Sequence, residues 1–373
     1  MRIRAVSGEK PPEWPIPGQS ARPTRTRKQK ALRLLKWSVI TCCVGVLLLV
    51  AVTGVAVWRL SATVTHYSGA HFNLGTNGVW LEHSWAGEPH SDSDYDALAQ
   101  QLTSEQIGFV FAHVGPLQSD GAIPDSLAPN AADFASAMHQ RMPGLRVLAW
   151  IGQVELASGY DASQSVDLSD SQVRLNIAQT AVHFVKDSGF DGVHYDIEPI
   201  TNNSPHFLDL LTTTRGLLPA GAILSTVGQK WAPNAHVADL LYSAKRAGAW
   251  WTSYYYAAVC AHVDQIVPML YDSAMPTSGL YEFFVQQETE HILDAARSAR
   301  TPPQVIFGLP TYTGNSFWFH QSAENMRSGL VGVTRGLNSN RDTTAFTGVA
   351  IYRFGTTTQS DWATYDTLWL GKH

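Results

Sequence analysis

From residue 78 onward the chain repeats one theme: a short apolar run, a polar break, then a longer stretch whose apolar residues recur every three or four positions. Eight such runs can be counted, at residues 79–83, 107–114, 147–154, 192–197, 222–227, 265–271, 305–309 and 348–353. They are short and mostly β-branched, so they are predicted strands buried on both faces. The stretches at 131–141, 171–187, 206–217, 235–247 and 281–299 have helical periodicity, several opened by Ser, Asn or Pro in the capping region. Residues 312–346 also read as mostly helical, and are too short to add a separate small domain. Eight strands alternating with crossover helices predict an α/β fold, a closed (β/α)8 TIM barrel over residues 77–373. In such a barrel the chemistry gathers at the carboxyl ends of the strands, so the residues closing each run are the ones to read for function.

The pattern before residue 77 differs. Residues 1–36 hold Pro11, Pro12, Pro15, Pro17 and Pro23 among polar and basic residues, and are expected to be a disordered cytoplasmic tail. Residues 37–58 form 22 consecutive positions without a charge. At about 1.5 Å per residue that is enough to cross a hydrocarbon core about 30 Å thick. A cleaved signal peptide has a shorter apolar stretch of roughly 7–15 residues, so the expectation is an uncleaved transmembrane helix seated in a lipid bilayer. Arg22, Arg25, Arg27, Lys28, Lys30, Arg33 and Lys36 stand just before it. Positive flanks stay cytoplasmic, which makes this a single-pass cell-membrane protein with an extracellular barrel. Residues 59–76 read as a polar linker.

Composition adds two exclusions. The net charge of −5 conceals an asymmetry: residues 1–36 carry ten Lys or Arg against two Glu, and the remainder 16 basic against 29 acidic side chains. An acidic barrel is no partner for nucleic acid. Of three cysteines, Cys42 and Cys43 fall in the uncharged run, so Cys260 is alone in the exported part and no disulfide can form there.

The fourth run reads Asp191-Gly192-Val193-His194-Tyr195-Asp196-Ile197-Glu198. Alternate residues of a strand share a face, so His194, Asp196 and Glu198 point the same way. That way is the barrel interior, since three ionisable groups facing the helix layer would each be desolvated without partners. Crowded carboxylates raise each other's proton affinity. This suits Glu198, at the rim, for a protonated general acid with Asp196 deeper beside it.

This strand resembles the Asp-x-x-Asp-x-Asp-x-Glu signature of the family 18 glycoside hydrolases, the chitinase-like enzymes. Asp191, Asp196 and Glu198 match it, and His194 replaces the middle Asp. Met269-Leu270-Tyr271-Asp272 matches the family's Met-x-Tyr-Asp motif. Residues 147–152 are similar to its strand-three segment, with Ala149 and Gln153 in place of a Ser and a Gly, and Tyr352 stands where the family usually has a Trp. The resemblance implies substrate-assisted retaining hydrolysis, in which the N-acetyl oxygen of the sugar attacks the anomeric carbon. It implies that Glu198 is the acid, that Asp196 orients the acetamido N–H, and that the Tyr271 hydroxyl bonds the acetamido oxygen. Asp272, Met269, Tyr352, His194 and Trp231 are expected substrate contacts, and neither metal nor cofactor is needed. The implied partner is an N-acetylated oligosaccharide or polysaccharide, whether chitin, peptidoglycan or the core of an N-glycan.

Several readings stay open on the residues alone. His194 is either a neutral hydrogen-bond partner fixing the Asp196 rotamer or a cation holding Asp196 ionised. Trp85, Trp150, Trp231 and Trp318 fall at or beyond strand ends, where rings stack on sugars or fill the core. His83 and His113 close the first two runs, as buried histidines or substrate contacts. A sugar-binding relative without turnover is one rival function. A metal site built from His113, His194, Asp196 and Glu198 is another, disfavoured because alternate side chains on a strand stand about 7 Å apart.

Overall fold

The computed structural model describes Lys36, Ser38 and residues 68–156, 161–243 and 249–372. Apart from Lys36 and Ser38, the expected tail, the span at 37–58 and the first part of the linker lie outside these residues. Among the described residues no helix is long and apolar enough to cross a membrane. The barrel lies within the compact unit Val57–His373.

All eight expected strands form: β1 (Asn77–Leu81), β2 (Ile107–Pro116), β3 (Arg146–Glu155), β4 (Gly192–Glu198), β5 (Ile223–Gly228), β6 (Gln265–Pro268), β7 (Gln304–Pro310) and β8 (Phe346–Tyr352). Each pairs in parallel with the next, and β8 closes on β1. The two-residue period sorts the side chains. Trp80, Phe109, Phe111, Leu148, Trp150 and Ile306 fill the interior. Their neighbours Val79, Leu81, Val110, Ala112, Val147 and Ala149 pack outward into the layer beneath the helices. Gly192 opens β4 because a Cβ there would lie 2.1 Å from the Ile223 carbonyl oxygen.

Besides the single turn Ser84–Gly87, the α-helices of the described residues are α1 (Asp92–Ser104), α2 (Ala131–Arg141), α3 (Ser171–Lys186), α4 (Pro205–Leu217), α5 (Ala235–Ser243), α6 (Ser253–Cys260), α7 (Ser278–Arg297), α8 (Met326–Ser339) and α9 (Gln359–Tyr365). The helix expected at 235–247 is present over Ala235–Ser243, its remainder lying outside the described residues, and two short parallel strands, Lys230–Ala232 and Trp250–Thr252, flank it. One expectation changes. The segment 312–346 is helical only in α8, because Asn325 starts the helix there by accepting the Ser328 N–H. Residues 311–325 are mostly irregular, and they run beside the carboxyl end of β6.

At the opposite, amino-terminal end of the barrel, Asp191 binds β3 to β4. Its carboxylate accepts from the Val147 N–H (2.8 Å), His139 Nε2 (2.8 Å) and Arg146 Nη1 (3.0 Å). Asp264 repeats the arrangement between β5 and β6, accepting from the Leu224 N–H at 2.8 Å and from Arg215. Asp191→Ala should therefore cost about 2–4 kcal/mol of stability in chemical denaturation, by stranding the Val147 amide and the side chains of His139 and Arg146. Its turnover should stay unchanged, and a loss of kcat without a loss of stability would reassign Asp191 to the chemistry.

Candidate active site

Strand β4 presents three interior side chains at rising levels. His194 is lowest, at 0% exposure, with its ring stacked 4.1 Å from Phe111. Its Nε2 accepts from Trp80 Nε1 at 3.2 Å, so Nδ1 carries the proton and donates to Ser225 Oγ at 2.8 Å. The Ser225 hydroxyl in turn donates to Gln265 Oε1 at 2.8 Å. Burial pushes the imidazole down to about 3, so it is neutral. Of the two readings of His194 the neutral one agrees with this burial, but its partners are Trp80 and Ser225 and not Asp196, and at 0% exposure the ring is sealed beneath the site and not placed as the expected substrate contact.

Asp196 is held instead by β3. Trp150 Nε1 donates to Asp196 Oδ2 at 2.8 Å, whereas Oδ1 is buried without a hydrogen-bond partner. Enclosure pushes this carboxyl up to about 6, the Trp150 bond acting against it. Glu198, at the rim, accepts from Gln229 Nε2 at 3.0 Å through Oε1. Burial first and the Asp196 charge second push Glu198 up to about 8, opposed by the Gln229 bond and Lys230. At neutral pH the site therefore pairs a protonated carboxyl with an ionised one two residues below.

Tyrosines wall the opposite side. Tyr271 is buried, stacked on Tyr352 with centroids 5.2 Å apart, and burial holds its hydroxyl protonated. Tyr312 meets both rings edge-on at 5.9 Å and donates its hydroxyl to Asp272 Oδ1 at 2.7 Å. Tyr352 also meets Trp80 and Trp150 edge-on, at 5.5 and 6.1 Å, and so lies over the interior packing. Met269 packs partly buried on the interior cluster. Asp272 is exposed and takes a left-handed backbone (φ 53°) that turns the chain off β6.

The structure separates the tryptophans. Trp150 is 8% exposed and serves Asp196, so it offers no open face to a sugar. Trp85 stacks on His90 at 4.2 Å and packs against the outer core. Trp231 stacks on His291 at 3.7 Å and donates from Nε1 to Ser253 Oγ at 2.9 Å, which covers one face of its ring. Trp318 sits in the β7–α8 loop, edge-on to the exposed Phe317. His83 and His113 lie together with ring centroids 5.3 Å apart, and burial pushes His113 down to about 4. Among the described residues no three His, Cys, Asp or Glu side chains gather as a metal site. The metal reading in particular loses His194, whose nitrogens are both engaged.

Three contributors, Ser225, Gln229 and Tyr312, escaped the sequence reading, and Trp150 was read as a stacking or core ring and not as the partner of Asp196. Ser225 and Gln229 continue the interior face of β5 at the two-residue period, so a polar residue on that face was a usable signal. Trp150 shares its level with His194 only because of the β3–β4 register, which pairs Trp150 with His194 and Gly152 with Asp196. Tyr312 stands on a loop, where periodicity carries no information.

The family profile described as Glycosyl hydrolases family 18 matches residues 83–370. No curated protein matches the sequence. Among solved structures, the chain is similar to the spore cortex-lytic enzyme SleL of Bacillus cereus, at 14% identity and TM-score 0.52, covering 79% of this chain and 74% of that one. It is similar to a Group IV chitinase of Ostrinia furnacalis, at 15% identity and TM-score 0.52, covering 80% and 100%. A chitinase from Bacteroides thetaiotaomicron gives 11% identity and TM-score 0.51, covering 79% and 94%. At such identities these likenesses concern the fold, whereas the family match runs from the end of β1 through β8 and takes in every strand end that builds the site. The chain belongs to the family 18 glycosyl hydrolases and is a chitinase-like glycosidase.

Proposed function

We propose that the protein cleaves a glycosidic bond next to an N-acetylated sugar, using the acetamido oxygen of that sugar as the nucleophile. The observation that carries this reading is the contrast between the two β4 carboxyls. Glu198 has its proton affinity raised to about 8 and so can deliver a proton to the leaving oxygen at neutral pH. Asp196 keeps one buried oxygen without a hydrogen-bond partner, an acceptor suited to the acetamido N–H. Accepting that N–H turns the acetamido oxygen toward the anomeric carbon, and the Asp196 charge stabilises the cationic ring as it forms. The protonated Tyr271 hydroxyl serves as a donor to the acetamido oxygen, which narrows its approach further. Tyr352 offers an aromatic floor, and Asp272, Met269 and Trp231 border the sugar. The cyclised intermediate is then opened by water, with Glu198 returning as general base, and the configuration is retained.

The uncharged run at 37–58, behind its basic cluster, supports a membrane anchor with the barrel outside the cell. A cell-wall or surface polymer containing N-acetylglucosamine is then the substrate. The test is digestion of β-1,4-linked N-acetylglucosamine oligomers, with the product anomer followed by proton NMR. The β-anomer should appear first, and a thiazoline analogue should inhibit far below the concentration needed of the free sugar. Tight binding without cleavage would instead make the chain a sugar-binding relative.

A further inference from the structure

The hold on Glu198 reaches through Gln229 to the outer helix layer. Gln229 is buried, and its Nε2 donates to Glu198 Oε1 at 3.0 Å. With Oε1 committed as an acceptor, the acidic proton of Glu198 resides on Oε2, the oxygen left to face a leaving group. Gln229 lies one residue past the end of β5, where the barrel ladder no longer holds the backbone. Two helices hold it, beside the short pairing of Lys230–Ala232 with Trp250–Thr252. Tyr256 on α6 is fully buried and donates its hydroxyl to the Gln229 carbonyl. Glu288 on α7 is 2% exposed and accepts the Trp231 N–H with both oxygens, at 3.0 and 2.9 Å. The Trp231 ring is pinned as well, by His291 and Ser253.

A buried carboxyl is costly to keep, and both oxygens of this one are spent on the backbone that carries the acid's partner. We propose that Glu288 is a positioning residue for the general acid: it fixes the 229–231 segment so that Gln229 holds Glu198 with its proton on Oε2. The inference rests on the acid role of Glu198 given above. The charged and titratable groups around Glu198 are Asp196 on the same strand, Lys230 beyond β5, Tyr271 and Asp272 beyond β6, and Tyr352 on β8. Those around Glu288 are Lys230 and Tyr256. Glu288 thus acts on the acid through Gln229 and not by direct contact.

The experiment follows the titration of Glu198 itself, by carbon NMR of the full chain labelled at glutamate carboxyls, with the Glu198 signal identified by its loss in Glu198→Gln. Gln229→Leu removes a donor that favours the carboxylate, so the Glu198 titration should move to higher pH. Glu288→Met, close in volume but without an acceptor oxygen, should move it the same way and less far. The double variant should match Gln229→Leu alone, because the two act in series. Glu288→Gln keeps an acceptor for the Trp231 N–H and should titrate as the wild type does. In turnover, Gln229→Leu should lower kcat by about 10-fold and Glu288→Met by about 3- to 10-fold, with KM nearly constant and the basic limb of the pH profile raised. Additive shifts in the double variant overturn the proposal. So does a Glu288→Gln chain whose Glu198 titration moves as far as that of Gln229→Leu. The coupled shifts in a chain that cleaves no N-acetylated oligomer would sink the hydrolase reading and leave the positioning intact. A turnover abolished by Glu198→Gln without the coupling would sink only the positioning.

Discussion

Glu198→Gln should lose on the order of 10²- to 10⁴-fold in kcat while the chain folds and binds oligosaccharide as before. The swap keeps the shape, and the new amide oxygen can still accept from Gln229 Nε2, so the 3.0 Å contact survives. What disappears is the transferable proton. The enclosure that raises Glu198 to about 8 keeps that proton in place at neutral pH, whereas an ordinary surface glutamate would have released it. Kinetics on a β-linked N-acetylglucosamine oligomer, paired with calorimetric binding of the same oligomer, check both halves. Undiminished hydrolysis would remove Glu198 from the chemistry.

Asp196→Asn should cost about 10²- to 10³-fold in kcat and change the shape of the pH profile. In the wild type the productive form needs Asp196 ionised and Glu198 protonated. Activity should therefore rise through the region near 6 and fall through the region near 8, with both limbs belonging to the coupled pair. An asparagine has no charge to lose, so the acid limb should vanish. It also withdraws the negative charge that raises the proton affinity of Glu198, so the basic limb should move to lower pH. Stability should change in the opposite sense. A carboxyl whose folded value is raised contributes stability that is full below its unfolded value, near 4, and is lost as pH rises through the folded value. The wild type carries this penalty at Asp196 above about pH 6, and Asp196→Asn should melt higher there. A variant with lower activity and lower stability across that range would show that Trp150 holds the carboxylate as structure, with no bearing on a sugar.

The architecture and the interior placing of the two β4 carboxyls were legible in the sequence because both follow from local rules. Strand period two is a property of the backbone itself, and it placed His194, Asp196 and Glu198 on one face before any neighbour was known. The cost of burying three ionisable groups then assigned that face to the interior. The same rule was not carried along the fifth run, where Ser225 lies on the interior face of β5 and Gln229 continues its period just past the strand end. Asp191 shows its limit. It belongs to the same signature as Glu198, yet it lies just before β4, at the far end of the barrel, where it joins β3 to β4.

What a polar side chain does is decided by the strands that pass at its own level. His194 could be read as a cation or as a partner for Asp196 until the closed barrel brought Trp80 from β1 and Ser225 from β5 to its two nitrogens. Likewise, only the β3–β4 register delivers Trp150 to Asp196, and only a loop from β7 brings Tyr312 to Asp272. The chain's own periodicity thus determined which residues face inward, the two carboxyls proposed for the proton chemistry among them. Barrel closure and register decided which of them are paired, which are sealed and which remain free to meet a substrate. Alternation is written within one strand, whereas a hydrogen bond across the interior depends on the relative height of strands separated by tens of residues.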